Sequence, residues 1–299
     1  MDLISGYWQI DLPPEDQEKC AVITEQGLFQ PIRMPQGLSN APATFQRAMD
    51  SVMGDLKLSC VLVYLDDINV FSRTFQQHLE HLEEVFKRLL AANLKLKPRK
   101  CNFFKEHLEF LGYIISSDGL RPVPAKTEAI EKMQTPANKR DVQVFLGMIG
   151  YYRRFIPNFA SLGDPLFQLL RADHEFFWSP ACQSAFAALK KTLTCAPVLA
   201  YPNFSQPFIV HTDASLTAVG GVLSQLDAEG LEHPVGYCSR TLNVHKRNYT
   251  VTERECLAVI YSYQQFRVYL HGVHFTVVTD HASLQWLKSL KDPEGRLAC

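Results

Sequence analysis

Short apolar runs separated by turn formers dominate residues 1–73, a pattern that predicts strands, except for a helical stretch from about Ala41 to Met53. The densest run is Cys60-Val61-Leu62-Val63-Tyr64-Leu65-Asp66-Asp67-Ile68-Asn69-Val70-Phe71, which reads as a β-hairpin packed on a core with two carboxylates at its turn. Roughly Thr74 to Asn93 shifts to a helical period, with Leu79, Leu82, Val85, Phe86 and Leu89 on one face. The run Phe110 to Ile115 predicts a strand ending at Ser117-Asp118-Gly119. From Pro124 to Leu193 the pattern is helical, with breaks expected at Pro136, Pro157, Pro165 and Pro180. Residues 195–207 carry Pro197, Pro202 and Pro207 without a helical period, which suggests a linker. Beyond it come strands at 208–213, 218–225 and 234–240, a helix at about 251–270 and a strand at 274–279, an α/β layer. The fold class is therefore mixed α/β (α+β), and 299 residues suffice for two cores.

Composition narrows little: 46% hydrophobic and 20% charged residues are ordinary for a globular protein. No apolar run approaches a membrane span, so no membrane partner is expected. The eight cysteines form no C-x-x-C pair, which argues against a zinc site or a disulfide framework and for a reducing compartment. A net charge of -1 speaks weakly against nucleic acid, yet basic residues cluster at Lys95, Lys97, Arg99, Lys100 and Lys105 and at Arg153-Arg154.

Candidate chemistry lies in carboxylates where packing has no use for them. Asp66 and Asp67 stand side by side in an apolar hairpin, where Asp-Gly or Asn-Gly would be the usual turn. Adjacent carboxylates on rigid strands suit hard divalent cations. Asp2 precedes a run, Leu3 to Ile10, read as a strand able to lie beside that hairpin. Asp213 and Asp280 each end an apolar strand, and Glu255 falls in line with Val259, Phe266 and Leu270 on a helix. A buried unpaired carboxylate there is costly unless it neutralises or meets a cation. Capping boxes Thr250/Glu253 and Thr252/Glu255 both fit, leaving the helix start open.

Asp2-Leu3-x-Ser5-Gly6-Tyr7-x-Gln9-Ile10, Met34-Pro35-Gln36-Gly37-Leu38-Ser39-Asn40-Ala41-Pro42-Ala43-Thr44-Phe45-Gln46 and Tyr64-Leu65-Asp66-Asp67 resemble, in order, the motifs of gypsy-type LTR-retrotransposon reverse transcriptases. Asp213, Glu255 and Asp280, with Thr252 to Val259 and Thr279-Asp280-His281, resemble the ribonuclease H domain of the same elements. The resemblance covers essentially the whole chain.

That resemblance implies a right-hand polymerase palm over residues 1–122, a helical thumb and connection over 123–206, and a ribonuclease H-like α/β domain over 207–299. It makes Asp2, Asp66 and Asp67 catalytic metal carboxylates, and Asp213, Glu255 and Asp280 a second such set, each with two Mg²⁺ ions or Mn²⁺ in their place. Tyr7 would be the steric gate against a ribose 2′-hydroxyl, and Gln36, Gly37 and Tyr64 would line the nucleotide pocket. Phe110-Leu111-Gly112-Tyr113 is similar to the primer grip, a hairpin that holds the primer end. Lys97, Lys100 and the Arg153-Arg154 pair would meet phosphates. Asn69 departs from the family, which has an apolar residue there, and needs a partner if buried.

The implied activity is RNA-directed DNA polymerisation with cleavage of the RNA in an RNA–DNA hybrid, within a Pol polyprotein. Its partners would be an RNA template, a DNA primer, deoxynucleoside triphosphates, the hybrid, and protease and integrase domains. The setting would be cytoplasmic virus-like particles with access to the nucleus. Only Met1 precedes Asp2, so the fingers subdomain is expected to be missing, and the ribonuclease H part is expected to stop before its fourth carboxylate. The rival reading is an inactive or co-opted fragment that binds nucleic acid without chemistry. A third is a hydrolase alone.

Overall fold

The computed structural model describes residues 1–282 and Leu284, and the chain packs as two compact units, residues 1–105 and residues 106 onward. The end of the expected 207–299 domain, including most of the His281 to Leu287 motif, lies outside the described residues.

In the first unit, α1 (Pro14–Gln17) precedes an antiparallel hairpin of β1 (Val22–Thr24) and β2 (Gly27–Phe29). Helix α2 (Ala41–Met53) buries Ala41, Phe45, Met49 and Met53, the four-residue spacing that aligns side chains on one face. Strands β3 (Val61–Tyr64) and β4 (Asp67–Val70) pair antiparallel, Val61 opposite Val70 and Tyr64 opposite Asp67. Val61 and Ile68 are fully buried and join α2 to α3 (Phe75–Ala91) through Val85 and Leu89. The Thr74 hydroxyl caps α3 by accepting the Gln77 N–H. Of the expected α3 stripe, Leu82, Val85 and Leu89 are buried, while Leu79 and Phe86 sit at its exposed rim.

The N-terminal segment departs from the expected strand. Met1 and Ile68 exchange hydrogen bonds, Asp2 pairs with Asp67, and Leu3 pairs with Leu96. The chain then turns at Ser5, whose φ is 49°, into a 3₁₀ turn over Gly6–Gln9. Tyr7 therefore sits on that turn and not in a strand.

The second unit opens with an antiparallel sheet of β5 (Leu108–Phe110), β6 (Tyr113–Ser116) and β7 (Gly119–Pro122). The single strand expected over Phe110 to Ile115 is broken by a two-residue turn, Leu111 (φ 48°) and Gly112 (φ 73°). Positive φ at both positions is the type I′ hairpin pattern, and Leu at the first of them hid it. Helices α4 (Pro124–Glu131), α5 (Lys139–Tyr151), α6 (Phe159–Leu169) and α7 (Pro180–Thr194) follow. Pro165 does not break the pattern: α6 runs through it, since proline's fixed φ is helical and only one backbone bond is lost. The apolar face of Phe159, Leu166 and Leu169 offsets that loss in a core shared with Phe145, Ile149 and Leu189.

Residues 195–207 are also no free linker. Leu199 is fully buried and exchanges two backbone hydrogen bonds with Leu120, while the Ala200 N–H donates to the Pro234 carbonyl. The final sheet runs β10-β9-β8-β11, from β8 (Phe208–Ala214), β9 (Ala218–Leu226), β10 (Glu232–Thr241) and β11 (Phe275–Val278), with β8 and β11 parallel and the other pairs antiparallel. A short α8 (Val244–Arg247) and the long α9 (Val251–Leu270) connect β10 to β11. Phe208, Val210, Leu223, Val235, Phe266 and Leu270 fill the space between helix and sheet.

Candidate active sites

The first centre is built on the β3–β4 turn. Asp66 occupies the turn, Asp67 opens β4, and Asp2 faces Asp67 across a backbone bridge. Asp66 is half-buried, and its Oδ1 is shielded from solvent with no hydrogen-bond partner. Burial first, then the charges of Asp2 and Asp67, push its carboxyl above the usual range, and Lys100 pulls it back in part. The Lys100 ammonium lies 2.7 Å from Asp2 Oδ2, and its own pKa is raised by that contact. Lys97 donates its backbone N–H to the Asp2 carbonyl.

Two neighbours shape this centre. A Cβ built on Gly6 would stand 2.6 Å from Asp66 Oδ1 and 2.9 Å from the Phe45 ring, so only glycine fits there. Tyr7 meets Phe45 edge-on with ring centroids 5.3 Å apart; burial, then Asp66, raises its phenol pKa. Gln36 and Gly37 lie on an exposed loop, Gly37 at φ 95°, and Tyr64 is half exposed on β3. The Asn69 Nδ2 is buried without a partner.

The second centre gathers residues from three elements. Asp213 is on β8 opposite Gly220, Asp280 follows β11, and Glu255 is on α9. The capping box is Thr250/Glu253, which leaves Glu255 two residues further into the helix, 4% exposed. Its Oε2 is buried with no hydrogen-bond partner. Burial, then Asp280 and Asp213, raises the Glu255 pKa, against smaller opposite effects of the Ala214 backbone and His281. His281 Nε2 lies 3.0 Å from the Thr252 hydroxyl.

The Leu111-Gly112 turn is clasped by the end of α5. The Tyr152 hydroxyl donates to the Gly112 carbonyl (3.0 Å), and the Tyr151 hydroxyl donates to the Leu111 carbonyl. Tyr113 stacks on Tyr151 with centroids 5.3 Å apart, and burial pushes its phenol up to about 12. Phe110 leads into the turn from β5.

Sequence reasoning missed Gly6, the Lys100–Asp2 ion pair and the tyrosine clasp. Gly6 was in view inside the first motif, but nothing in one dimension places Asp66 against it. Both centres are all-oxygen sets with one partnerless buried oxygen each, donor chemistry that suits a hard divalent ion. Among the described residues no three His, Cys, Asp or Glu side chains already stand at ligand spacing, and Lys100 is the cation on Asp2. A metal ion entering the first centre would have to displace that ammonium.

Residues 1–115 match the family model of reverse transcriptase (RNA-dependent DNA polymerase), and residues 178–277 match the RNase H-like domain found in reverse transcriptase. The chain is 41% identical over 298 residues to the retrovirus-related Pol polyprotein from transposon 297 of Drosophila melanogaster, covering 99% of this chain and 28% of that protein. It is 36% identical to the transposon Tf2-3 polyprotein of Schizosaccharomyces pombe, covering 95% and 22%. The chain thus spans under a third of the curated relatives it matches. The foamy viral protease-reverse transcriptase in complex with RNA/DNA hybrid superposes with a TM-score of 0.82 at 24% identity, over 99% of this chain and 41% of that one, a likeness of fold. The chain belongs to the reverse transcriptase family of retrovirus-related Pol polyproteins, a reverse transcriptase domain followed by its RNase H-like domain.

Proposed function

We propose that the chain copies RNA into DNA at the first carboxylate centre and cleaves the RNA of the resulting hybrid at the second. The observation that carries this reading is the repetition of one arrangement: a trio of carboxylates in which Asp66 or Glu255 keeps a buried, partnerless oxygen and a raised pKa. Uncompensated carboxylates of that kind are costly in a fold and useful in a metal centre. Both families are dependent on divalent metal. Asp2, Asp66 and Asp67 would hold Mg²⁺ or Mn²⁺ in one centre, and Asp213, Glu255 and Asp280 in the other. When bound, the ions supply activation of the attacking oxygen and neutralisation of charge at the leaving oxygen.

The chain's own groups do the rest. Tyr7, leaning on Phe45, would fill the space of a ribose 2′-hydroxyl. Gln36, Gly37 and Tyr64 would border the incoming deoxynucleoside triphosphate. The turn of Phe110, Leu111, Gly112 and Tyr113 would hold the primer end, with Tyr151 and Tyr152 fixing its carbonyls. Lys97, Lys100, Arg153 and Arg154 would meet phosphates of template, primer and hybrid. The palm, thumb and connection, and ribonuclease H-like divisions at 1–122, 123–206 and 207–299 belong to the same reading, as do protease and integrase partners in a longer polyprotein. A reducing, intracellular setting, including virus-like particles, belongs to the same reading. The Lys100 contact with Asp2 favours a second reading, nucleic-acid binding without chemistry.

Paired variants decide between them. With Mg²⁺, Asp66→Asn should abolish primer extension on an RNA template and leave hybrid cleavage, and Glu255→Gln should do the reverse. Tight hybrid binding with neither activity in the unmodified chain would establish the second reading.

A further inference from the structure

We infer that Gln46 is a positioning residue: its side-chain amide latches the turn that carries Asp66. The proposal rests on the polymerase reading of that turn. Of the two turn residues, Leu65 alone has positive φ, at 51°, which is the type II′ pattern in which the first residue is usually glycine. A leucine held there is strained and persists only where its surroundings over-determine it. Gln46 on α2 supplies the restraint. Its Oε1 accepts the Leu65 N–H at 2.9 Å, and its Nε2 donates to the Val63 carbonyl at 3.3 Å, so one amide holds the chain where it leaves β3 and enters the turn.

The amide's orientation is itself fixed. Nε2 also donates to Asp50 Oδ1 at 2.9 Å, and the other Asp50 oxygen takes the Lys57 ammonium. Lys57, then Gln46, holds the Asp50 carboxyl below its usual range, so at neutral pH it only accepts. Leu65 N–H only donates, and the Val63 carbonyl only accepts. A flipped amide would set donor against donor and acceptor against acceptor, so the relay Lys57–Asp50–Gln46 admits one arrangement. Asp66, the next residue, is thereby held against Gly6 and within electrostatic reach of Asp2.

Two readouts on the full chain test this. In amide hydrogen exchange, Leu65 N–H should be protected in the unmodified protein and in Asp50→Asn, which keeps an acceptor for Gln46. In Gln46→Leu it should exchange at least about ten-fold faster, the scale of one lost hydrogen bond, while the amides of α2 stay protected. In primer extension, Gln46→Leu and Gln46→Glu should lower kcat by about ten- to hundred-fold, as small misplacements of reacting groups do, with the KM for primer–template unchanged. Leu65→Gly in the Gln46→Leu background should recover part of the loss, because glycine takes positive φ without a latch. Free exchange of Leu65 N–H in the unmodified protein, or full kcat in Gln46→Leu, overturns the proposal. If the unmodified chain extends no primer, the polymerase reading fails and the exchange measurement alone decides the latch.

Discussion

Gly6 lies against Asp66 so closely that its two hydrogens leave no room for a methyl group: a Cβ there would approach Oδ1 to 2.6 Å. The nearest alternative route is blocked by the Phe45 ring, which is fully buried. Gly6→Ala should therefore cost about 1–3 kcal/mol through overpacking, read by urea denaturation. Primer extension should fall further than that cost explains, because Asp66 must move, while hybrid cleavage should be unaffected.

The raised pKa of Glu255 sets a pH dependence. Its folded pKa lies above the ordinary value of 4.5, so the folded state holds the proton more tightly than the unfolded state. Its contribution favours folding at low pH and is lost as pH rises through the folded pKa. In metal-free buffer Glu255→Gln should remove this loss and raise Tm at neutral pH relative to the unmodified chain. Mg²⁺ should raise the Tm of the unmodified chain more at pH 7 than at pH 5, and of Glu255→Gln little at either.

The tyrosine clasp gives a third expectation. Tyr152 is 4% exposed, and Tyr152→Phe leaves the Gly112 carbonyl without its donor. The loss should be about 1 kcal/mol in chemical denaturation, the net worth of one hydrogen bond at a half-buried carbonyl. Primer–template affinity should weaken in the same variant if that turn holds the primer end.

Tyr7 offers a selectivity test. Its ring is only part-buried on a 3₁₀ turn, so Tyr7→Ala should cost no more than about 3 kcal/mol, the low end for a core aromatic. Ribonucleotide incorporation should rise relative to deoxynucleotide incorporation. Equal loss with both would make Tyr7 a packing residue.

Much of this was legible from residues alone because local rules coincided with tertiary demand. Helix α2 begins and ends at Ala41 and Met53, as its apolar spacing requires, and Thr74 caps α3 where the helical period begins. The strands expected at 208–213, 218–225 and 234–240 likewise form as β8, β9 and β10. The misses share one cause, a residue doing what its type disfavours under tertiary pressure. Leu111 and Leu65 take left-handed backbone in turns, Pro165 sits inside a helix, and Leu199 in a proline-rich stretch is buried as a strand-like edge. The carboxylates stood out because apolar strands have no use for them. Their supports, Gly6, Gln46 and Lys100, did not, since each is ordinary until the fold brings it to an aspartate.

The most direct test of the two-centre account is anomalous diffraction from crystals of the chain grown with Mn²⁺ and a DNA primer annealed to an RNA template. Manganese peaks are expected within about 2.2 Å of carboxylate oxygens of Asp2, Asp66 and Asp67, with Lys100 displaced from Asp2, and again among Asp213, Glu255 and Asp280. Bound nucleic acid with no manganese at either trio, and Lys100 still seated on Asp2, would contradict the account.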